Sequence, residues 1–292
     1  MSAAELPHGR DSATPDWSAL LSALASGEVQ LDGRLVESSN NAMVGAVHGD
    51  ASGDTHGAQY TTQSIVRCVY KPIRGERPLW DFPGGRLACR EVAAFLVAQA
   101  AGWQVPPPTV LRDGPFGEGM VQRWIEGAEP DRVASVFPVD QLPDGWLPVL
   151  HAEDQDGQPL VVAHADLPEL ATIALFDIVV NNADRKASHL LVAPDGELFG
   201  VDHGLTFHTE PKLRTILWGW AGHPITPDLV DGLRRLSDQL GDQVDGPLAA
   251  DLSSYLSIAE VSALADRVAT LMERPVFPLP PADRPAIPWP PL

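Results

Sequence analysis

The chain has 292 residues, 44% hydrophobic content and a formal net charge of −19 at pH 7. That composition is ordinary for a soluble globular protein and supplies a core for one large domain or for two lobes around a cleft. The charge argues against broad binding to nucleic acid or to anionic lipid surfaces, which both reward clustered Lys and Arg, so neither partner is expected.

No apolar run approaches the roughly 20 residues that span a bilayer, and Met1 to Asp16 lacks the basic-then-apolar order of a signal peptide, so a cytoplasmic location is expected. Residues 1–15 are small, polar and unpatterned and read as a disordered arm. Asp16 to Leu24 combines an Asp cap with helical apolar spacing and stops at Gly27. Val29 to Glu37 and Ala42 to His48 alternate apolar and polar residues around the turn Ser38-Ser39-Asn40-Asn41, which predicts a hairpin. Ser64 to Pro72 is a strand with Lys71 near its end, and Pro78 to Gly85 is an aromatic, proline-pinned loop. Leu87 to Ala101 is strongly helical and closed by Gly102, with Glu91 beside its apolar face. The two cysteines, Cys68 and Cys89, fall in this strand and helix without metal-binding spacing and read as buried thiols.

Val105 to Arg112 opens with three prolines and reads as an edge strand, followed by a turn and a strand over Met120 to Ile125. Residues 126–164 are loop-like, with prolines, glycines and acidic groups, and read as a variable insertion. Asp166 to Val180 is a capped helix, and 228–240 and 258–272 have amphipathic helical spacing. Between them, Lys212 to Pro224 carries Leu213, Ile216, Leu217, Trp218 and Trp220, for which buried packing is the default. The proline-rich tail from Pro275 to Leu292 is extended, either wrapped on the surface by Phe277, Ile287 and Trp289 or free.

The chemistry concentrates between Asp177 and His208. Two short apolar strands, Leu190-Leu191-Val192 and Leu198-Phe199-Gly200, flank a Pro194-Asp195-Gly196 turn, which brings the polar clusters ending at His189 and beginning at Asp202 together. Phosphoryl transfer needs one carboxylate near the attacking hydroxyl and another for the ion that bridges the phosphates. Asp184 and Asp202 suit those two tasks.

The run Asn182-Ala183-Asp184-Arg185, a ligand-type residue at 189, and Val201-Asp202-His203-Gly204 resemble the catalytic and metal-binding motifs of the phosphatidylinositol 3/4-kinase-like superfamily. Type II phosphatidylinositol 4-kinases and HipA-like protein kinases share the pattern, with Asn where this chain has His189, and the whole chain looks like an actinobacterial family assigned to that fold. The resemblance implies an α+β, two-lobed, protein-kinase-like fold with a mostly antiparallel N-lobe sheet and a helical C-lobe. Its parts would be an arm over 1–15, an N-lobe over 16–125, a C-lobe over 126–274 and the tail over 275–292. It implies Lys71, in a Lys-Pro context like that around the family's nucleotide-binding lysine, as phosphate ligand, with Glu91 as its carboxylate partner. Ser38, Ser39 and Asn40 would cover the triphosphate, and Gln122 to Ile125 would meet the adenine, with Trp124 as an apolar wall. Asp184 would take the substrate proton and Asp202 with His189 would hold magnesium or manganese. Lys186 stands where the family often has histidine, its charge near the γ-phosphate.

These residues imply an ATP-dependent phosphotransferase acting on a hydroxyl of a protein or small molecule. Nucleotide transfer at the same site is a further option. A second class is a pseudokinase or nucleotide-binding scaffold, motivated by His189, because magnesium prefers oxygen ligands. A third takes His189, Asp202, His203 and His208 as a metal hydrolase cluster.

Overall fold

A computed structural model describes residues 16–35, 41–49, 53–55, 58–60, 64–77, 79–82, 84–128 and 132–292. Ser38, Ser39 and Asn40, with the expected arm over 1–15, lie outside the described residues. Helix α1 (Ser18–Ser26) is followed by β1 (Glu28–Arg34), β2 (Met43–Gly49), a small ribbon of β3 (Gly53–Thr55) and β4 (Ala58–Tyr60), and β5 (Ser64–Pro72). Then come helix α2 (Leu87–Ala101), β6 (Thr109–Gly114) and β7 (Gly117–Arg123). Five of these strands form an antiparallel sheet in the order β1-β2-β5-β7-β6. Alternation along β5 sends Val66, Cys68 and Tyr70 into a cluster with Trp17, Leu20 and Leu24 of α1. The other face carries Val69 and Lys71, and Val69 packs with Met120 and with Ala88 and Val92 of α2.

The mostly buried α2 ends at Gly102, whose φ of +71 closes the helix in the left-handed conformation that glycine adopts without penalty. Its residues Ala94, Val97, Ala98 and Ala101 join the largest core cluster. That core is built from α3 (Pro168–Val180), α4 (Pro227–Leu240), α5 (Pro247–Leu252) and α6 (Ile258–Glu273). Arg90 of α2 donates to Thr206 O and pairs with Glu260 of α6, while Arg235 of α4 donates to Ala101 O. The helix therefore packs against both the first sheet and the C-terminal helical core, so a boundary at residue 125 does not separate α2 from that core.

The stretch 126–164, expected as an irregular insertion, instead holds an antiparallel sheet of β8 (Ala134–Pro138), β9 (Trp146–Glu153) and β10 (Pro159–Ala165) in the order β8-β10-β9. The prolines that suggested a loop sit where a sheet tolerates a missing N–H: Pro138 and Pro148 on the two edge strands and Pro159 at the first position of the central one. Asp166 does not cap α3. Its carboxylate accepts from Trp220 Nε1 at 2.9 Å, and Pro168 opens the helix instead. After α3, the short strands β11 (Leu190–Val192) and β12 (Leu198–Gly200) pair in the register Leu190 to Gly200.

The tail is wrapped rather than free. Phe277 is buried and Ile287 packs on the large core, while Trp289 remains exposed. Ala286 O accepts from Thr215 N and Trp218 Nε1, and Pro291 O accepts from Ala187 N at 3.0 Å. Among the described residues no helix is long and apolar enough to cross a membrane.

Candidate active site

The site is assembled where α3 ends. Asn181 closes the helix with φ 55 and ψ 52, a left-handed conformation that asparagine accepts more readily than most residues. Asn182 then donates Nδ2 to Asp177 Oδ1 at 2.8 Å and accepts from Asp184 N at 3.0 Å, which folds the loop back on its own helix. The loop is pinned from three further directions: Ala183 N donates to Leu205 O, Arg185 N to Arg214 O, and Ala187 N to Pro291 O in the tail.

Arg185 is the hub beneath this loop. It is fully buried, and its Nε and Nη2 form a bidentate pair with Asp177 at 2.9 and 3.0 Å. Nη1 donates to the carbonyls of Val201 and His189 at 2.7 and 3.3 Å, and Nη2 also lies 2.7 Å from His203 Nε2. Because a guanidinium only donates, His203 Nε2 accepts, and the ring is the neutral Nδ1–H tautomer assigned from this network. Burial, reinforced by the Arg185 charge, holds the His203 pKa well below its ordinary value.

By gripping the two carbonyls at the open end of the hairpin, Arg185 fixes the residues that follow them. Val201 N donates to His189 O at 2.9 Å, and His189 Nε2 lies 3.6 Å from Asp202 Oδ2. Asp202 has φ 62, an uncommon left-handed conformation for a non-glycine residue, and its side chain is about half exposed to the cleft (47%). Its Oδ1 is 3.0 Å from Lys71 Nζ, and the same ammonium is 2.7 Å from Glu91 Oε1. Glu91 Oε2 in turn accepts from His203 N at 2.9 Å. Burial alone would lower the Lys71 pKa, but Asp202 and Glu91 more than offset it and the net shift is upward. The Lys71 charge beside Asp202 holds that carboxyl well below the usual range, so the cation and this anion persist together.

Asp184 faces the cleft with a side chain 29% exposed, and Lys186 Nζ lies 3.3 Å from its Oδ2. Burial raises the Asp184 pKa, while Lys186 and, more weakly, Arg214 act to keep it ionised. Asp202 adds a smaller upward push, and the net shift is toward a more basic carboxyl, the direction that favours proton acceptance.

Two carboxylate-bearing arms thus converge with Lys71 between them. A divalent ion fits between His189 Nε2 and Asp202 Oδ2, since a separation of 3.6 Å is spanned by two bonds of about 2.1 Å each. His189 suits such a role because burial depresses its pKa to about 4 and leaves the imidazole neutral, while its Nδ1 is buried and has no hydrogen-bond partner among the described residues to fix the ring as a ligating imidazole usually is. The hydrolase cluster does not form. His203 Nε2 is taken by Arg185, His208 Nδ1 accepts from Glu210 N, and no three metal-binding side chains converge among the described residues.

Of the residues expected at the adenine, Trp124 lines a cavity of about 290 Å³ with Ile65, Arg67, Ile125, Ala193 and Phe199 where the chain leaves the first sheet. Gln122 is placed differently from the expectation. It is buried, pairs with Val69 on one side and Thr109 on the other in the sheet, and its amide donates to Thr109 Oγ1 at 2.8 Å. Its amide nitrogen is therefore engaged within the sheet. Sequence reasoning missed Asp177 as the anchor of Arg185, and treated Asn182 as a turn-former. The signal was present as a lone carboxylate in the apolar run of α3, eight positions before the arginine that follows Asp184.

The chain is similar to known proteins in three respects. The family described as phosphatidylinositol 3- and 4-kinase matches residues 167–238, which hold α3, the loop that carries Asp184, the β11–β12 hairpin and most of α4. Protein Rv2133c of Mycobacterium tuberculosis (strain ATCC 25618 / H37Rv) is 47% identical over 235 residues, covering 77% of this chain and 82% of that protein. The crystal structure of a Helicobacter pylori proinflammatory kinase, CtkA, aligns over 87% of this chain and 94% of that chain at 10% identity, with a TM-score of 0.42. Residues 167–238 thus carry a match to the phosphatidylinositol 3- and 4-kinase family, and the chain as a whole belongs to the same family as the mycobacterial protein Rv2133c.

Proposed function

We propose that the protein is an ATP-dependent phosphotransferase that moves the γ-phosphoryl group to a hydroxyl of a soluble acceptor. The observation that carries this reading is the position of the Lys71 ammonium, 2.7 Å from Glu91 and 3.0 Å from Asp202, at the mouth of a cleft whose other wall is Asp184. Lys71 neutralises phosphate charge, and Glu91, itself held by the His203 N–H, keeps the ammonium aimed into the cleft. Asp184 accepts the hydroxyl proton as the new O–P bond forms and the bond to the leaving ADP oxygen breaks. Lys186 holds Asp184 ionised in the free enzyme and balances charge as the phosphoryl group passes. Asp202 and His189 would hold the divalent ion, which when bound neutralises the phosphate oxygens and orients them for in-line transfer. Trp124 is proposed as a wall for the base, because it lines the cavity beside the crossover from the first sheet.

The test is nucleotide-dependent thermal stabilisation with magnesium or manganese, followed by variants. A ligand that binds only the folded state raises stability by about 2.7 kcal/mol at a hundred times its Kd. Asp184→Ala is expected to abolish turnover while keeping nucleotide affinity, whereas Asp202→Ala also weakens metal-dependent binding. No shift for the wild type at millimolar nucleotide with either metal, or equal loss of binding in both variants, contradicts the assignment.

A further inference from the structure

We propose that the cleft contains an acceptor subsite beside Asp184, in which Lys212, Arg214 and the face of Trp80 bind a soluble small molecule through a phosphate monoester group. The proposal rests on the phosphotransferase reading and names the class of its acceptor. It starts from an uneven distribution of charge. The chain has 20 basic residues, only three of them lysines: Lys71 stands beside Asp202, Lys186 beside Asp184, and Lys212 on the segment whose backbone is tied to Asn181. In a protein of net charge −19, cations gathered at one place select an anion there and repel bulk anionic surfaces elsewhere.

Lys71 and Lys186 already have roles at the nucleotide and at Asp184. Lys212 does not. Its backbone N–H donates to Asn181 Oδ1 at 2.8 Å, fixing the segment against the catalytic loop, while its ammonium lies 5.5 Å from the centre of the Trp80 ring. Its nearest carboxylate, Glu210 at 3.6 Å, is 73% exposed, and a solvated pair of this kind leaves the cation available. Two residues on, Arg214 donates its backbone N–H to Asn182 O and its Nε to Ala183 O at 2.7 Å. Its Nη groups make no further hydrogen bond among the described residues.

Trp80 supplies the third wall. It is 88% exposed, yet the turn that carries it is anchored: Phe82 packs with Leu87 and Ala183, and its ring meets His208 edge-on at 5.4 Å. A tryptophan held out to solvent by a buried neighbour has no core to fill, and its flat face suits the carbon skeleton of a ligand. The common anchor is Ala183, which touches both Phe82 and Arg214 and directly precedes Asp184. An ammonium and a guanidinium fork carried two residues apart on one segment match a doubly charged phosphate better than a neutral group. An acceptor held by that phosphate presents its hydroxyl toward Asp184.

The test uses the full chain saturated with a non-hydrolysable ATP analogue and manganese, so that Lys71 is occupied. Glycerol 3-phosphate is titrated as the probe and glycerol as the control, followed by calorimetry and tryptophan fluorescence. The expected result is binding of the phosphate ester alone, with Kd raised about tenfold or more by Lys212→Gln and by Arg214→Gln while nucleotide affinity is unchanged. Trp80→Ala should remove the fluorescence response and weaken binding, and Trp80→Phe should keep the binding. Arg214→Lys retains the charge and guards against a folding defect in Arg214→Gln. The proposal is overturned if wild type binds nucleotide but not the ester, if ester and glycerol bind alike, or if the variants bind the ester as wild type does. Binding confined to vesicles containing phosphatidylinositol 4-phosphate also overturns it, since the acceptor would then be a lipid. Nucleotide affinity is read separately, so a failure of the phosphotransferase reading is seen in wild type without the probe.

Discussion

Replacing Lys71 with methionine removes the cation and keeps most of the side-chain volume, and the two carboxylates it serves respond differently. Asp202 is about half exposed and is re-solvated at little cost. Glu91 is 2% exposed and keeps only the His203 N–H as a donor, so its charge is stranded. Breaking a buried pair in this way costs about 3 to 5 kcal/mol. The carboxyl can escape by taking a proton, which at pH 7 costs about 3.7 kcal/mol for a group of ordinary pKa near 4.3, so the lower half of that range is expected. At roughly 2 to 4 °C per kcal/mol for a chain of this size class, Lys71→Met should melt some 6 to 15 °C lower at pH 7. The proton escape sets the pH dependence. In the variant the folded-state pKa of Glu91 lies above its unfolded value, so the folded state binds more protons. Stability is then fully present below about pH 4.3 and falls as pH rises, by up to about 1.4 kcal/mol per unit. The gap between wild type and variant, measured by urea denaturation, should therefore widen from pH 5 to pH 7. Adding Glu91→Gln should remove most of the gap and its pH dependence. A gap of equal size at both pH values, or a double variant no more stable than Lys71→Met, would show that Glu91 is not the desolvated partner.

His189→Asn exchanges an imidazole for an oxygen ligand. Imidazole favours manganese and later ions over magnesium, so the wild type should prefer manganese and the variant should move toward magnesium in calorimetric titrations with nucleotide. An unchanged ratio removes His189 from the ion site. Arg185→Met leaves Asp177 charged and fully buried, and should cost about 3 to 5 kcal/mol in chemical denaturation, with an unchanged denaturation midpoint refuting the anchoring role of the pair. His164 is fully buried, accepts from Gly219 N at 3.0 Å, and has its pKa depressed by burial to about 4. Its contribution is present above about pH 6.5 and is lost as pH falls toward 4, about 3 kcal/mol in all. His164→Gln should make the acid limb of the stability profile shallower, and an identical slope would place the depressed pKa elsewhere.

What the sequence determined by itself were the elements whose causes are local. Leu87 to Ala101 is helical because good helix formers run unbroken to a glycine, and the helix ends at Gly102 as the pattern requires. The β11–β12 hairpin follows from two apolar triplets around Pro194-Asp195-Gly196, and it alone brings His189 and Asp202 to one end. The tertiary structure decided everything that depends on partners far away in the chain. Lys71 meets Asp202 across 131 positions, and no local pattern states that distance. Pro138, Pro148 and Pro159 read as loop until the order β8-β10-β9 puts the first two on edges and the third at a strand start, where their missing N–H costs nothing. Gln122 looked available for a base until the sheet paired it on both sides and Thr109 engaged its amide nitrogen. The carbonyl of Pro291, from a tail that sequence left as wrapped or free, caps the N–H of Ala187 beside the catalytic loop. Arg185 became the hub for the same reason. A buried guanidinium must satisfy all its donors, and only the folded chain brings Asp177, His189, Val201 and His203 within its reach.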